Sequence, residues 1–140
     1  MVKLLFEYAQ NNEYVWDGIY SKEIILKCGK FDDFFKAGCE DIDIFLKLIK
    51  FSVSCKTSSL ICYEHYIRSS TSTSCKFSEN TYEAVIKTYL DRLQMVSGSD
   101  KKMDIYKAEK TKQFLWSLLG MFSFKSCSLS IDEMKERLCD

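Results

Sequence analysis

The chain has 140 residues, with 20 Lys and Arg against 20 Asp and Glu, a formal net charge of zero, 46% hydrophobic and 14% aromatic residues. That length holds one compact domain and not two. A domain of this size buries roughly 68% of the surface its unfolded chain exposes, so it needs no staple to hold a core, and the aromatic content excludes disorder. Acidic and basic residues are mixed throughout, which argues against a surface whose main partner is a nucleic-acid backbone or an anionic membrane.

Average usage would place roughly seven prolines in a chain this long. There are none, so turns fall to Gly, Asn, Asp and Ser, and long helices form without interruption. The seven cysteines are odd in number, irregularly spaced and contain no C-x-x-C pair, and no secretory signal opens the chain. This pattern predicts reduced thiols in a cytoplasm. No segment approaches the roughly 18 uninterrupted apolar residues of a membrane span, so a soluble protein is expected, at most peripheral to the inner face of a membrane.

Val2, Leu5, Phe6 and Ala9 stand at helical spacing and predict a short first helix that stops at Asn11-Asn12. Tyr14-Val15-Trp16 is a β-prone trio. Ser21 is a plausible N-cap for a helix with Ile24, Ile25 and Cys28 on one face and Gly29 at its C-terminal cap. Residues 31–38 have no clean period and predict a loop ending at Gly38, after which Ile42, Phe45, Leu46 and Ile49 mark another helix. From Ser52 to Ile67 the Val, Cys, Thr, Leu, Ile and Tyr content, split by Ser58-Ser59, predicts two strands. A hydroxyl-rich loop follows at 69–74. Asn80 and Glu83 form a capping-box pattern ahead of Tyr82, Val85, Ile86, Tyr89, Leu90 and Leu93, the most regular helical stripe of the chain. Beyond the linker-like Ser97-Gly98-Ser99, a longer helix is marked by Tyr106, Phe114, Leu115, Leu118, Leu119 and Phe122, and Ser130 with Glu133 boxes a last short one. The expected fold is α+β: a small mixed sheet of two or three strands around 14–16 and 53–67, covered by helices at 41–50 and 80–96.

The densest acidic cluster is Glu40-Asp41-Ile42-Asp43. Carboxylates in a first helical turn are stabilised by unpaired N–H groups and the helix dipole, so a purely structural reading is available. The functional reading rests on position, at the junction of an irregular loop and a buried helix, where a rigid element can hold a carboxylate against a ligand. Asp41-Ile42-Asp43 also spells a D-x-D tripeptide, but no apolar strand leads into it, so a nucleotide-metal role there is rejected. His65 is the only histidine, and the cysteines offer it no zinc-like spacing. Arg68, followed by six consecutive hydroxyl residues, provides a guanidinium fork with nearby donors that suits a phosphate or diphosphate.

Three blocks stand in order: Val15-Trp16-Asp17-Gly18-Ile19-Tyr20-Ser21-Lys22-Glu23-Ile24, then Gly38-Cys39-Glu40-Asp41-Ile42-Asp43, then Tyr63-Glu64-His65-Tyr66-Ile67-Arg68-Ser69-Ser70-Thr71-Ser72 with Phe77-Ser78. Together they resemble the second half of a family 2 glycosyltransferase of the GT-A type: its W-N-K entry, its E-D catalytic motif, and its exit strand with the following Arg and Ser loop. The resemblance covers residues 14–96, so residues 1–96 are expected to form the acceptor-side half and 97–140 a helical extension.

The resemblance implies an inverting transfer of a sugar from a nucleotide-sugar donor to a saccharide acceptor, of the type that builds cell-surface polysaccharides. Asp41 would be the base that deprotonates the acceptor hydroxyl, with Glu40 shaping its position. Asp43, Arg68 and Ser70 would contact substrate or diphosphate, and His65 would meet the metal, Mg²⁺ or Mn²⁺. The nucleotide-binding half that precedes these blocks in the family has no counterpart before Tyr14. The chain is accordingly expected to be a C-terminal fragment or a stand-alone half, inactive alone, that self-associates or pairs with a nucleotide-binding partner. The alternative expectation is a non-catalytic helical interaction module in which the acidic turn is only a cap.

Overall fold

A computed structural model describes residues 14–36, 38–56, 58–59, 64, 77–96 and 101–139. Among the described residues the chain forms five α-helices and two 3₁₀ turns: a 3₁₀ turn Val15–Asp17, α1 Lys22–Cys28, a 3₁₀ turn Asp33–Phe35, α2 Glu40–Phe51, α3 Glu79–Met95, α4 Lys101–Phe122 and α5 Ile131–Cys139. No strand occurs among the described residues, which overturns the expected α+β fold with its mixed sheet. Tyr14 and Trp16 do not enter a ladder. Their rings stack on each other at 4.9 Å and both are exposed, while Val15 packs inward. Val53 to Lys56 is irregular, and Val53 is fully exposed. β-branched and aromatic residues favour a strand only where a pleated neighbour exists to receive them, and neither segment has one among the described residues. Most of the rest of the pair of strands expected between Ser52 and Ile67, and the expected helix at 1–10, lie outside the described residues.

Local signals set several boundaries. Ser21 caps α1, its hydroxyl accepting from the Ile24 N–H at 3.3 Å, and Gly29 closes the helix at φ 80°, a conformation that side chains other than glycine strain to adopt. Ser130 and Glu133 cap α5 reciprocally: the Glu133 carboxylate accepts from the Ser130 N–H at 2.7 Å, and Ser130 Oγ accepts from the Glu133 N–H at 3.3 Å. α3 starts earlier than Asn80 suggests. Ser78 is its cap, accepting from the Thr81 N–H at 3.1 Å and bonded to the Thr81 hydroxyl at 2.7 Å.

The core lies around α2, which is buried on two sides. Phe45, Leu46 and Ile49 pack with Val96 and Tyr106 toward α3 and α4. Ile44 and Leu48 pack with Cys28 toward α1. Each such fully buried side chain contributes about 1.5–3 kcal/mol relative to exposure. The apolar stripe Ile42, Phe45, Leu46 and Ile49 is therefore only half of what α2 buries. A third cluster joins Tyr82 of α3 to Leu118, Met121 and Phe122 of α4, with Met134 of α5 at its edge. The Tyr89 and Phe114 rings stack 4.1 Å apart between α3 and α4, and the Tyr89 and Thr111 hydroxyls bond at 2.9 Å. α5 buries no residue of its own. It is tied to α3 by the Arg137 fork on Glu79 at 2.6 and 3.1 Å and by the Tyr82 hydroxyl donating to the Arg137 carbonyl at 3.0 Å.

α3 also buries a face that the sequence stripe does not contain. Ala84, Thr88 and Arg92, spaced i, i+4, i+8, are buried, whereas Leu90 of the stripe is exposed. This second face receives the segment leading into α2. In that segment Asp32 caps a 3₁₀ turn, its carboxylate accepting from the Phe34 N–H at 2.9 Å, and Phe35 is driven to complete burial with the Lys87 ammonium over its ring.

Candidate active site

The acidic cluster sits at the N-terminus of α2, and the backbone before it is unusual. Gly38 has φ 140° and Cys39 has φ 66°, the only non-glycine positive φ among the described residues. Two successive residues on that side of the map turn the chain sharply from the Phe35 turn into the helix, whose first bond runs from the Asp43 N–H to the Cys39 carbonyl at 3.0 Å. The left-handed residue is held from α3. The Cys39 side chain is bonded to that of Thr88 with the Arg92 guanidinium near it, and burial pushes its thiol above the usual range. Thr88 is itself fixed, donating to the carbonyls of Ala84 and Val85 at 3.0 Å each. The start of α2 is thus a stiff turn clamped against a second helix.

Glu40 is exposed and Asp41 half-buried. The Val15 backbone N–H donates to the Asp41 carboxylate, which joins the first and second sequence blocks at one atom group. Burial raises the Asp41 carboxyl above its ordinary range, the neighbouring Glu40 charge raises it further, and the Val15 N–H works in the opposite direction. A carboxylate of raised basicity on a rigid turn, half open to solvent, is equipped to accept a proton from a hydroxyl.

Asp43 does not join this pair. Two residues on, it is rotated roughly 200° around the helix, is buried, and forms an ion pair with Lys47 at 2.5 Å. It lines a separate surface cavity of about 460 Å³ between α2 and α3, together with Lys50, Lys87 and Asp91. That cavity carries three lysines and three aspartates, with Lys47 and Lys87 each paired to an aspartate on its own helix, so it has no excess charge for an anion. His65, Arg68 and Ser70 lie outside the described residues. Among the described residues no three Asp, Glu, His or Cys side chains converge as a metal site, and with Asp43 turned away and paired, the acidic turn does not assemble a donor set for Mg²⁺ or Mn²⁺.

The sequence pattern pointed to Glu40 and Asp41 but not to what holds them. Val15 enters through its backbone, and Thr88 and Arg92 arrive from a helix almost fifty residues away. Only Gly38 hinted at the turn. No family model, no curated protein and no solved structure matches this chain. No helix of the described residues is long and apolar enough to cross a membrane.

Proposed function

We propose that the chain is the acceptor-binding part of a glycosyltransferase in which Asp41 deprotonates the acceptor hydroxyl as it attacks the donor sugar, with inversion. The observation that carries the reading is the junction at Asp41. Two blocks resembling family 2 glycosyltransferases, separated by thirteen residues, meet there through the Val15 N–H, and the carboxyl they share is raised in basicity by burial and by Glu40. Glu40, exposed beside it, is placed to accept hydrogen bonds from other acceptor hydroxyls.

The nucleotide-sugar donor, with its Mg²⁺ or Mn²⁺, falls in this reading to a nucleotide-binding half that pairs with this one. The exposed apolar side chains of Ile19, Leu26 and Phe31 offer such pairing a surface. Titration with a panel of mono- and oligosaccharides, followed by the amide chemical shifts of Val15, Glu40 and Asp41, tests the proposal. Shifts that saturate and cluster on these three residues support it. An unperturbed spectrum across the panel sinks the acceptor site and leaves the acidic turn as the cap of a non-catalytic helical interaction module.

A further inference from the structure

The C-terminal half of α4 carries apolar side chains on two sides, divided by the exposed polar Gln113 and Ser117, and only one of the two is covered. Leu118, Met121 and Phe122 face the core, while Leu115, Trp116 and Leu119 face outward with 44%, 65% and 48% of their surface exposed. At 100° per residue the outward residues align with Lys101, Ile105, Ala108 and Lys112 in one stripe along the helix, and all of these are exposed. The carboxylates of Asp104 and Glu109 stand at the two margins of the stripe rather than within it.

We infer that this outer face of α4 lies on an anionic lipid surface, with Leu115, Trp116 and Leu119 entering the interface and Lys101 and Lys112 meeting the headgroups. The 22-residue helix is about 33 Å long and is held by its opposite face, so the stripe is a preformed, rigid strip rather than a segment that must fold on arrival. Charge and residue type select the occupant. A protein partner would press on the middle of the stripe, where Lys112 stands between Ile105 and Leu115, and lysine is disfavoured in the dry centre of protein interfaces. A bilayer suits it, because a lysine can lay its alkyl stem along the apolar zone and carry its ammonium to a phosphate, and an indole prefers that same boundary. The zero net charge of the whole chain does not describe this face, whose centre is basic and apolar.

Flotation of the intact protein with vesicles of phosphatidylglycerol and phosphatidylcholine, against vesicles of phosphatidylcholine alone, decides the matter. Expected are retention on the mixed vesicles, weakening with added salt, and a loss of roughly tenfold or more in partitioning for the surface variant Lys101→Gln/Lys112→Gln. Trp116→Ser/Leu119→Ser should reduce partitioning further, by removing the inserted side chains. The charge-only variant keeps the inference testable if the apolar one fails to fold. No retention on either vesicle, or equal retention on both, overturns it. So does a sedimentation result in which the protein self-associates without lipid and only the apolar variant becomes monomeric, because the stripe would then belong to a second copy.

Discussion

Asp41 combines two effects that substitution separates. Under the proposed function, Asp41→Asn should lower turnover of the complete transferase by about 10²- to 10⁴-fold, the usual loss on removing a general base. Asn keeps the shape, and its side-chain oxygen still accepts from the Val15 N–H, so stability at neutral pH should change by less than about 1 kcal/mol. The pH dependence has a definite sign. With its carboxyl raised above the ordinary 3.8, folded Asp41 holds its proton more tightly than the unfolded chain does. Its contribution therefore favours the fold below that ordinary value and is lost as the pH rises through the raised one. Urea denaturation of both proteins at acid and at neutral pH should show the variant gaining on the wild type as the pH rises; a constant difference would mean the carboxyl is not perturbed. Cys39 gives the companion prediction. A β-branched side chain resists φ near +66° and cannot bond to Thr88, so Cys39→Val should cost about 1–3 kcal/mol in the same denaturation assay, whereas Cys39→Gly, which relieves the backbone, should cost less.

At the scale of elements, the turn before α2 matters more than its length suggests. Phe35 has no exposed surface and sits in a three-residue 3₁₀ turn that packs on α3, so it anchors a segment with little regular structure of its own. Phe35→Ala should lower stability by about 3–5 kcal/mol, as large as a truncation within a helix core. Thermal unfolding would check it, and a loss under about 1 kcal/mol would show that the turn is not fixed by this ring. Little of this was legible beforehand. Residues 31–38 lack any period because a 3₁₀ turn of one revolution has none to offer, and burial of Phe35 rather than its exposed neighbour Phe34 depends on where α3 happens to lie. By contrast the caps at Ser21 and Ser130 were legible, because a hydroxyl accepting from an N–H three residues on is a contact within one turn of chain.

Over the whole molecule, α2 belongs to two clusters at once, one with α1 and one with α3 and α4. Neither side can loosen without exposing the helix they share, which predicts one cooperative transition. Leu48→Ala on the α1 side and Ile49→Ala on the other should each shift a single unfolding curve by about 2–5 kcal/mol, with far-ultraviolet circular dichroism and tyrosine fluorescence coinciding. Separate transitions for the two probes would show that the clusters unfold independently.

Local signals along the chain sufficed to place the helices of residues 22–28, 40–51 and 79–95 to within a few residues, a longer helix through Tyr106 to Phe122, a short one after Ser130, and the caps at Ser21 and Ser130. Each of these rests on interactions between residues a turn or so apart. Tertiary structure decided the rest. It set β-prone Val15-Trp16 in a 3₁₀ turn with no neighbouring strand among the described residues, and it buried α2 and α3 on second faces by surrounding them. It parted Asp43 from Asp41 by giving the two carboxylates different neighbours around one helix, and it brought Val15 and Thr88 to the residues they hold. Which face of a helix is covered, and by what, follows from packing between distant segments, and no spacing along a single segment carries that information.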